Sequence, residues 1–196
     1  MRCLLALIGL GGIAAAQPGA TAPQPAPGPT VMDRRWSVGA GIGSLGLKPD
    51  RDGADNTSFG IIDLGGRFRI RRSIEVGLSL YGGGTKGDIG TGGLYLDGRY
   101  RFMAERPWNV FALLSLGVAS VNGKDATEDE KRGRGSVRIG VGVERRFRAW
   151  AIDAQLRLLG IGHNKDVDFV PMTLAEDLEK SKLSGGSLTL GGTFYF

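Results

Sequence analysis

Alternation of apolar and polar residues with a period of two runs through most of this 196-residue chain. It predicts β-strands with two chemically different faces. The pattern occurs in eight segments, at about 35–46, 58–70, 73–83, 92–103, 108–121, 134–147, 150–162 and 184–196. The chain has 34 glycines, and outside Met172–Lys180, which could form a short helical turn, it shows no 3.6-residue period. We therefore expect an all-β fold.

The connections between these segments alternate in predicted length. The short ones are 71–72, 104–107 and 148–149, and the longer, polar ones are 47–57, 84–91, 122–133 and 163–183. Short turns on one side and long loops on the other are typical of outer-membrane barrels, whose short turns face the periplasm. The sequence thus predicts an eight-stranded antiparallel up-and-down transmembrane β-barrel with both ends on the short-turn side.

The two faces of the predicted strands differ in charge. One parity is aliphatic, as in Val110, Leu114 and Leu116, whereas the other carries the charged residues Asp63, Arg67, Arg69, Glu75, Asp97, Arg99, Arg101, Arg138, Glu144, Asp153 and Arg157. In a soluble barrel the aliphatic parity would point inward, and in a membrane barrel it points toward lipid. The charged parity then faces the bore.

A bore of eight strands is just wide enough for side chains to fill it. Because buried charges need partners, the charged parity predicts an arginine–carboxylate network that plugs the lumen. Inward glycines such as Gly39, Gly41, Gly77, Gly140 and Gly142 would leave room for the long arginines. The alternative is a gated or narrow pore that passes ions or small solutes.

Aromatic residues support the membrane interpretation, since they collect where the short turns are predicted. The predicted aromatic girdle consists of Trp36, Phe68, Tyr100, Phe102, Trp108, Phe147, Trp150, Phe194 and Phe196. Such girdles lie at the membrane–water interface of transmembrane barrels. The opposite rim has fewer aromatic residues.

The first 34 residues differ in composition from the barrel segments. Arg2, the apolar run Leu4–Ile13 and the small residues Ala14–Ala16 predict a signal peptide over 1–16. Residues 17–34 form a proline-rich tail that we expect in the periplasm, and 35–196 form the predicted barrel. Cys3, the one cysteine, precedes the apolar run and is expected to be removed with the signal peptide.

The last strand segment carries a further signal. It contains the pattern Leu188-x-Leu190-x-x-x-Phe194-x-Phe196. With the strand number and the loop alternation, this pattern resembles the small eight-stranded outer-membrane barrels of the OmpA transmembrane domain and OmpX type over about residues 35–196. The resemblance implies an integral outer-membrane protein whose terminal pattern is recognised by the barrel-assembly machinery. It also implies that membrane lipid and lipopolysaccharide surround the barrel.

Signals for other functions are weak. His163 is the single histidine, and no serine accompanies it at a hydrolase-like spacing. The pairs Asp50/Asp52 and Asp166/Asp168 could bind a divalent cation among lipopolysaccharide phosphates, but such pairs are common in solvated loops. We expect no enzyme activity, no cofactor, no metal site and no nucleic-acid binding. The expected roles are a monomeric structural or interaction protein of the cell surface, or a small transport barrel.

Deleting Phe196 should impair assembly in the cell more than it destabilises the folded barrel. One ring loses its burial, worth about 1.5–3 kcal/mol, while the terminal signal is lost. We expect unfolded, protease-sensitive chain to accumulate in the periplasm while refolding into detergent still succeeds. Cell fractionation and migration on unboiled gels measure both, and normal outer-membrane amounts of the deletion variant would contradict the prediction.

Overall fold

The structure, a computed structural model, describes residues 33–50, 55–85, 89–122, 133–162 and 182–196. Its eight strands are β1 (Trp36–Pro49), β2 (Thr57–Arg71), β3 (Ile74–Gly84), β4 (Gly90–Arg101), β5 (Trp108–Asn122), β6 (Arg134–Arg146), β7 (Trp150–Ile161) and β8 (Leu183–Tyr195). The predicted signal peptide (1–16), the tail up to residue 32 and the predicted helical turn lie outside the described residues. No helix among the described residues is long and apolar enough to cross a membrane.

The strands form one closed antiparallel barrel in chain order, as predicted. Closure is made by β1 and β8, which pair from Ser37↔Tyr195 to Pro49↔Leu183. At the very end of the chain, the Phe196 N–H donates to the Trp36 carbonyl at 2.9 Å and the Trp36 N–H donates back at 3.2 Å. Because every strand has two neighbours, the sheet has no open edge.

The connection lengths correct one sequence expectation. β3 ends at Gly84 and β4 begins at Gly90, with these two glycines paired across the strands. The β3–β4 connection, predicted to be a long one, is therefore shorter than the predicted short connection between β4 and β5, which runs from 102 to 107. The glycines allow the ladder to continue further than the polar composition of 84–91 indicated. The predicted alternation holds at the other connections.

The outward face of the barrel is apolar. Ile42 is 68% exposed and Leu190 is 62% exposed, and the same parity of all eight strands carries aliphatic side chains. The protein thus exposes its aliphatic parity and buries the charged one, which is the arrangement of a membrane barrel and the reverse of a soluble one.

At the long-loop ends of the strands, the outward face carries glycine, serine, asparagine and Lys48 instead of aromatic rings. Register places them side by side around the barrel: Ser44, Gly46, Ser58, Gly60, Gly82, Gly84, Gly90, Gly92, Ser120, Asn122, Gly135, Gly160, Ser184 and Gly186. The aliphatic band therefore has an aromatic border at the short-turn rim and a border of mostly small, polar residues at the long-loop rim. This explains why the sequence shows few aromatic residues there.

An arginine substitution on β5 tests the outward face and its limits. Leu114→Arg should cost about 2–4 kcal/mol of unfolding free energy because it places a charge near the middle of the lipid band, whereas Ser120→Arg, on the same face at the border, should cost about 0–1 kcal/mol. Urea titration of the barrel refolded in lipid vesicles measures both. Equal costs at the two positions would show that the membrane does not lie where the aliphatic band places it.

Candidate functional site in the barrel lumen

The predicted lumenal residues all lie on the inward face of their strands. Ten of them are buried, namely Asp63, Arg69, Glu75, Asp97, Arg99, Arg101, Arg138, Glu144, Asp153 and Arg157. The eleventh, Arg67, is half-buried. Antiparallel register brings most of them together in two clusters at different depths of the bore.

The first cluster, here called the rim cluster, lies near the short turns and contains Arg69, Glu75, Arg99, Arg101, Glu144 and Arg146. Arg101 is shared by its two carboxylates. It forms an ion pair with Glu75, and its Nη2 donates to Glu144 Oε2 at 3.1 Å. Glu75 and Glu144 are 1% and 0% exposed. The cluster therefore compensates charges that are fully removed from water.

Tyr195 completes the rim cluster. Arg101 Nη2 donates to Tyr195 Oη at 2.8 Å, and that hydroxyl donates to Glu144 Oε2 at 3.1 Å. Arg99 donates to the same carboxylate oxygen at 3.2 Å and lies 3.9 Å from the ring centroid of Phe111. Strand β8, which closes the barrel, thus also contributes to the charge network from its inward face.

The second cluster, the central cluster, lies deeper and contains Asp63, Asp97, Arg138, Asp153, Gln155 and Arg157. Asp63 accepts from Arg157 and lies 3.7 Å from Arg138 Nη1. Arg138 also reaches Asp97 at 3.5 Å and donates to Ser79 Oγ at 2.7 Å. Its guanidinium stacks 3.6 Å from the ring centroid of Tyr95, which fixes its plane in the bore.

Arg67 and Asp153 do not join the ion pairs. Arg67 donates to Thr193 Oγ1 at 3.3 Å, and Asp153 accepts from the Gln155 amide. Both line a cavity of about 20 Å³ between the inward glycines of β1 and β8. That volume has room for about one water molecule.

On the long-loop side of the central cluster, the bore is filled by apolar side chains, which the charged pattern of the inward parity did not predict. This apolar layer consists of Leu45, Leu47, Phe59, Ile61, Tyr81, Ile89, Tyr95, Ala119, Val121, Leu159, Ile161 and Leu183. Leu47 and Leu183 are 0% exposed. The long-loop half of the lumen is therefore largely apolar, with the buried Arg134 opposite Ala119, and the other lumenal charges named above occupy the half nearer the short turns.

The alternation contained a signal for this layer that composition obscured. In β4, Tyr95 stands between Leu94 and Leu96, yet it shares the parity of Asp97 and Arg99 and so points inward. Arg134 and Arg146 of β6 also point inward, although the sequence around Arg146 resembles a basic turn. Parity alone would have found all three.

Two inward glycines leave the room for arginine that the sequence predicts. A Cβ at Gly77 would lie 2.8 Å from Arg67 Cγ, and one at Gly140 would lie 3.0 Å from Arg157 Cγ. Both distances are shorter than ordinary carbon contacts. The same Cβ atoms would lie 2.3 Å from the Gly66 carbonyl oxygen and 2.7 Å from the Leu156 carbonyl oxygen, so the backbone of the neighbouring strand as well as the arginines excludes a larger residue.

The nine predicted girdle residues lie outward or half-buried at the short-turn rim: Trp36, Phe68, Tyr100, Phe102, Trp108, Phe147, Trp150, Phe194 and Phe196. Several pair with each other. Trp36 and Phe68 have ring centroids 4.8 Å apart, and Phe147 stacks on Trp150 at 3.9 Å. Their contact with the membrane–water interface stays a prediction.

No group of three or more histidine, cysteine, aspartate or glutamate side chains able to hold a metal ion occurs among the described residues. His163, Asp52, Asp166 and Asp168 lie outside them. The chemistry that the described lumen offers is therefore ion pairing and packing.

Comparison with solved structures shows similar barrels. The neisserial surface protein A is 17% identical with a TM-score of 0.61, over 82% of this chain and 97% of its own. Ail, the attachment invasion locus protein of Yersinia pestis, is 17% identical with a TM-score of 0.50, over 83% and 99%. OprG from Pseudomonas aeruginosa is 11% identical with a TM-score of 0.50, over 83% and 96%. At these identities the likeness concerns the fold.

No curated protein sequence matches the chain significantly. A family model does match: the outer membrane protein beta-barrel domain matches residues 4–191, nearly the whole chain. With the closed eight-stranded barrel and its apolar outer face, this match shows that the chain belongs to the family of outer membrane protein β-barrel domains.

Proposed function

We propose that this protein is an integral outer-membrane barrel whose lumen is closed, with a structural or interaction role at the cell surface. The observation that carries the proposal is the filling of the bore: two clusters of paired charges beneath a packed apolar layer. Short turns would face the periplasm and long loops the outside, as in other outer-membrane barrels.

The rim cluster is the strongest argument for closure. Its carboxylates are almost completely buried, and Arg101 contacts both of them as well as the Tyr195 hydroxyl. Opening a path through it would separate ion pairs in a low-dielectric interior, which costs several kcal/mol. Such a cluster favours one packed arrangement over a bore that opens freely.

The apolar layer blocks the same path at a second depth. An ion passing the central cluster would next meet fully buried side chains such as Leu47, Leu183 and Ile161. Apart from the hydroxyls of Tyr81 and Tyr95, which are hydrogen-bonded to Thr91 and Ser136, the layer consists of hydrocarbon, which cannot replace the hydration shell of an ion. Two barriers of different chemistry in series favour a plug over an ion pore.

A narrow pore is the second candidate, and the charge balance of the lumen favours it to some extent. The inward face of the described strands carries the arginines 67, 69, 99, 101, 134, 138, 146 and 157 and the carboxylates 63, 75, 97, 144 and 153. Positive charges are in excess. A pore through this lumen would therefore prefer anions.

The remaining parts of the proposal follow from the family and the signals in the chain. Residues 1–16 direct export, the barrel-assembly machinery inserts the chain, and lipid with lipopolysaccharide surrounds a monomeric barrel. The protein carries no enzyme activity of its own. Interaction would then depend on the long loops rather than on the lumen.

Planar-bilayer recording tests closure directly. The refolded protein should give no reproducible conductance steps, because the rim cluster and the apolar layer both block the bore. Recovery of a heat-modifiable barrel from the same membranes controls for insertion. Stable, anion-selective steps would overturn the plug and support the pore.

The rim cluster should also contribute to stability. Arg101→Ala leaves Glu75 and Glu144 with fewer cationic partners in the interior and should cost about 3–5 kcal/mol. Arg72→Ala is the matched control, because Arg72 pairs with Glu105 at 2.8 Å on the exposed surface of the same rim and should cost about 0–1 kcal/mol. Urea unfolding in detergent measures both, and equal costs would show that the cluster is not a stabilising network.

A further inference from the structure

Arg145 lies on the outer wall of the barrel instead of in the lumen. It is the penultimate residue of β6, has the outward parity of Val143 and is exposed. Register sets it beside Trp108 of β5 and Ile152 of β7. It is thus a cation on the aliphatic face, at the level of the aromatic residues of the short-turn rim.

Aromatic rings hold this guanidinium on two sides. Arg145 Cζ lies 5.2 Å from the ring centroid of Trp108 and 5.4 Å from that of Phe147. Phe147 is itself stacked on Trp150 with an interplanar angle of 17°. The rings fix where the charge lies, while the N–H groups around the edge of the guanidinium stay available for an acceptor.

Arg145 faces outward without an anionic partner among the described residues, whereas Arg67, which also lacks one, donates to Thr193 inside the bore. Among the described residues, no carboxylate lies within ion-pair distance of Arg145, whereas the lumenal clusters pair their arginines and Arg72 pairs with Glu105. A cation at the edge of a hydrocarbon phase calls for an anion from that phase. The anion available there is the phosphate of a lipid headgroup.

A groove in the apolar wall adjoins the guanidinium. It has a volume of about 330 Å³ and is lined by Trp108, Val143, Ile152, Ala154 and Leu190, with Asp153 and Gly191, both of inward parity, at its base. The groove exists because Ala154 and the glycines of β8 are small between larger neighbours. It runs from the charge toward the centre of the aliphatic band, which is the direction of an acyl chain.

We propose that Arg145 and this groove form a binding site for a phospholipid with a net negative headgroup, in the leaflet at the short-turn rim. In this site the guanidinium donates bidentate hydrogen bonds to the phosphate. Trp108 and Phe147 flank the guanidinium, and one acyl chain lies in the groove beside Ala154. The site is on the outer wall, so it is independent of whether the lumen is closed.

Tryptophan quenching tests the site in the full barrel. With Trp36→Phe as background, the remaining tryptophans are Trp108 and Trp150, both next to the site. The barrel is refolded into phosphatidylcholine vesicles that contain a small fraction of a lipid with brominated acyl chains. In one set of vesicles the brominated lipid is phosphatidylglycerol, and in the other it is phosphatidylcholine. Brominated phosphatidylglycerol should bind about fivefold better than the brominated phosphatidylcholine, the factor that one basic residue contributes at an anionic lipid.

Matched variants separate a site from the general charge of the rim. Arg145→Gln should abolish the preference, whereas Arg72→Gln, which also removes one exposed rim charge, should keep it. Ala154→Leu fills the groove without changing charge and should weaken binding of both brominated lipids, whereas Ala112→Leu on the outward face of β5 should not.

Three results would overturn the proposal: equal quenching by both brominated lipids in the parent barrel, an equal loss of preference in Arg72→Gln and Arg145→Gln, or unchanged quenching in Ala154→Leu. Migration on unboiled gels shows which variants are folded. If Arg145→Gln does not fold, the comparison of Ala154→Leu with Ala112→Leu tests the site. Whether the barrel conducts ions in planar bilayers does not affect the outcome of these lipid-binding measurements.

Discussion

Pairing between the first and the last strand is the interaction on which the rest of this structure depends. In hydrocarbon, each unpaired backbone N–H or C=O costs several kcal/mol, so a membrane sheet has to close. β1 and β8 close it over their full length, down to the mutual backbone bonds of Trp36 and Phe196. Once the ring is closed, strict alternation sends every second side chain into a bore that eight strands leave only just wide enough for side chains.

The content of the bore follows from that confinement. Buried charges need partners, and most of them are found in shared pairs, with Arg101 between Glu75 and Glu144 and Asp63 between Arg138 and Arg157. Tyr95 joins the charged and apolar parts, because its ring packs in the apolar layer and also stacks on Arg138. The lumen therefore resembles the core of a small soluble protein at the long-loop end and a salt-bridge network at the short-turn end.

The outer wall is arranged along the same axis but with different chemistry at its two borders. Aromatic rings and Arg145 stand at the short-turn border, and glycine and serine stand at the other. The two leaflets of an outer membrane also differ, with phospholipid on the periplasmic side and lipopolysaccharide outside. In the proposed orientation the aromatic border lies on the phospholipid side, which is where the proposed lipid site at Arg145 lies.

The fold could be predicted from the sequence because alternation and strand count are local properties: the eight segments, the lipid-facing parity and the inward parity of all eleven charged residues can be read without knowing any contact. Which charges pair could not, since Arg101 and Glu144 lie on strands that are not neighbours and meet only across the closed bore. The same holds for the apolar layer, whose members are spread over seven strands, and for Arg145, which reads as one more basic rim residue until register sets it beside Trp108, without an ion pair to a described carboxylate. Parity is a property of the chain, whereas the depth at which a side chain lies and the partner it meets depend on register and closure, which only the tertiary structure decides.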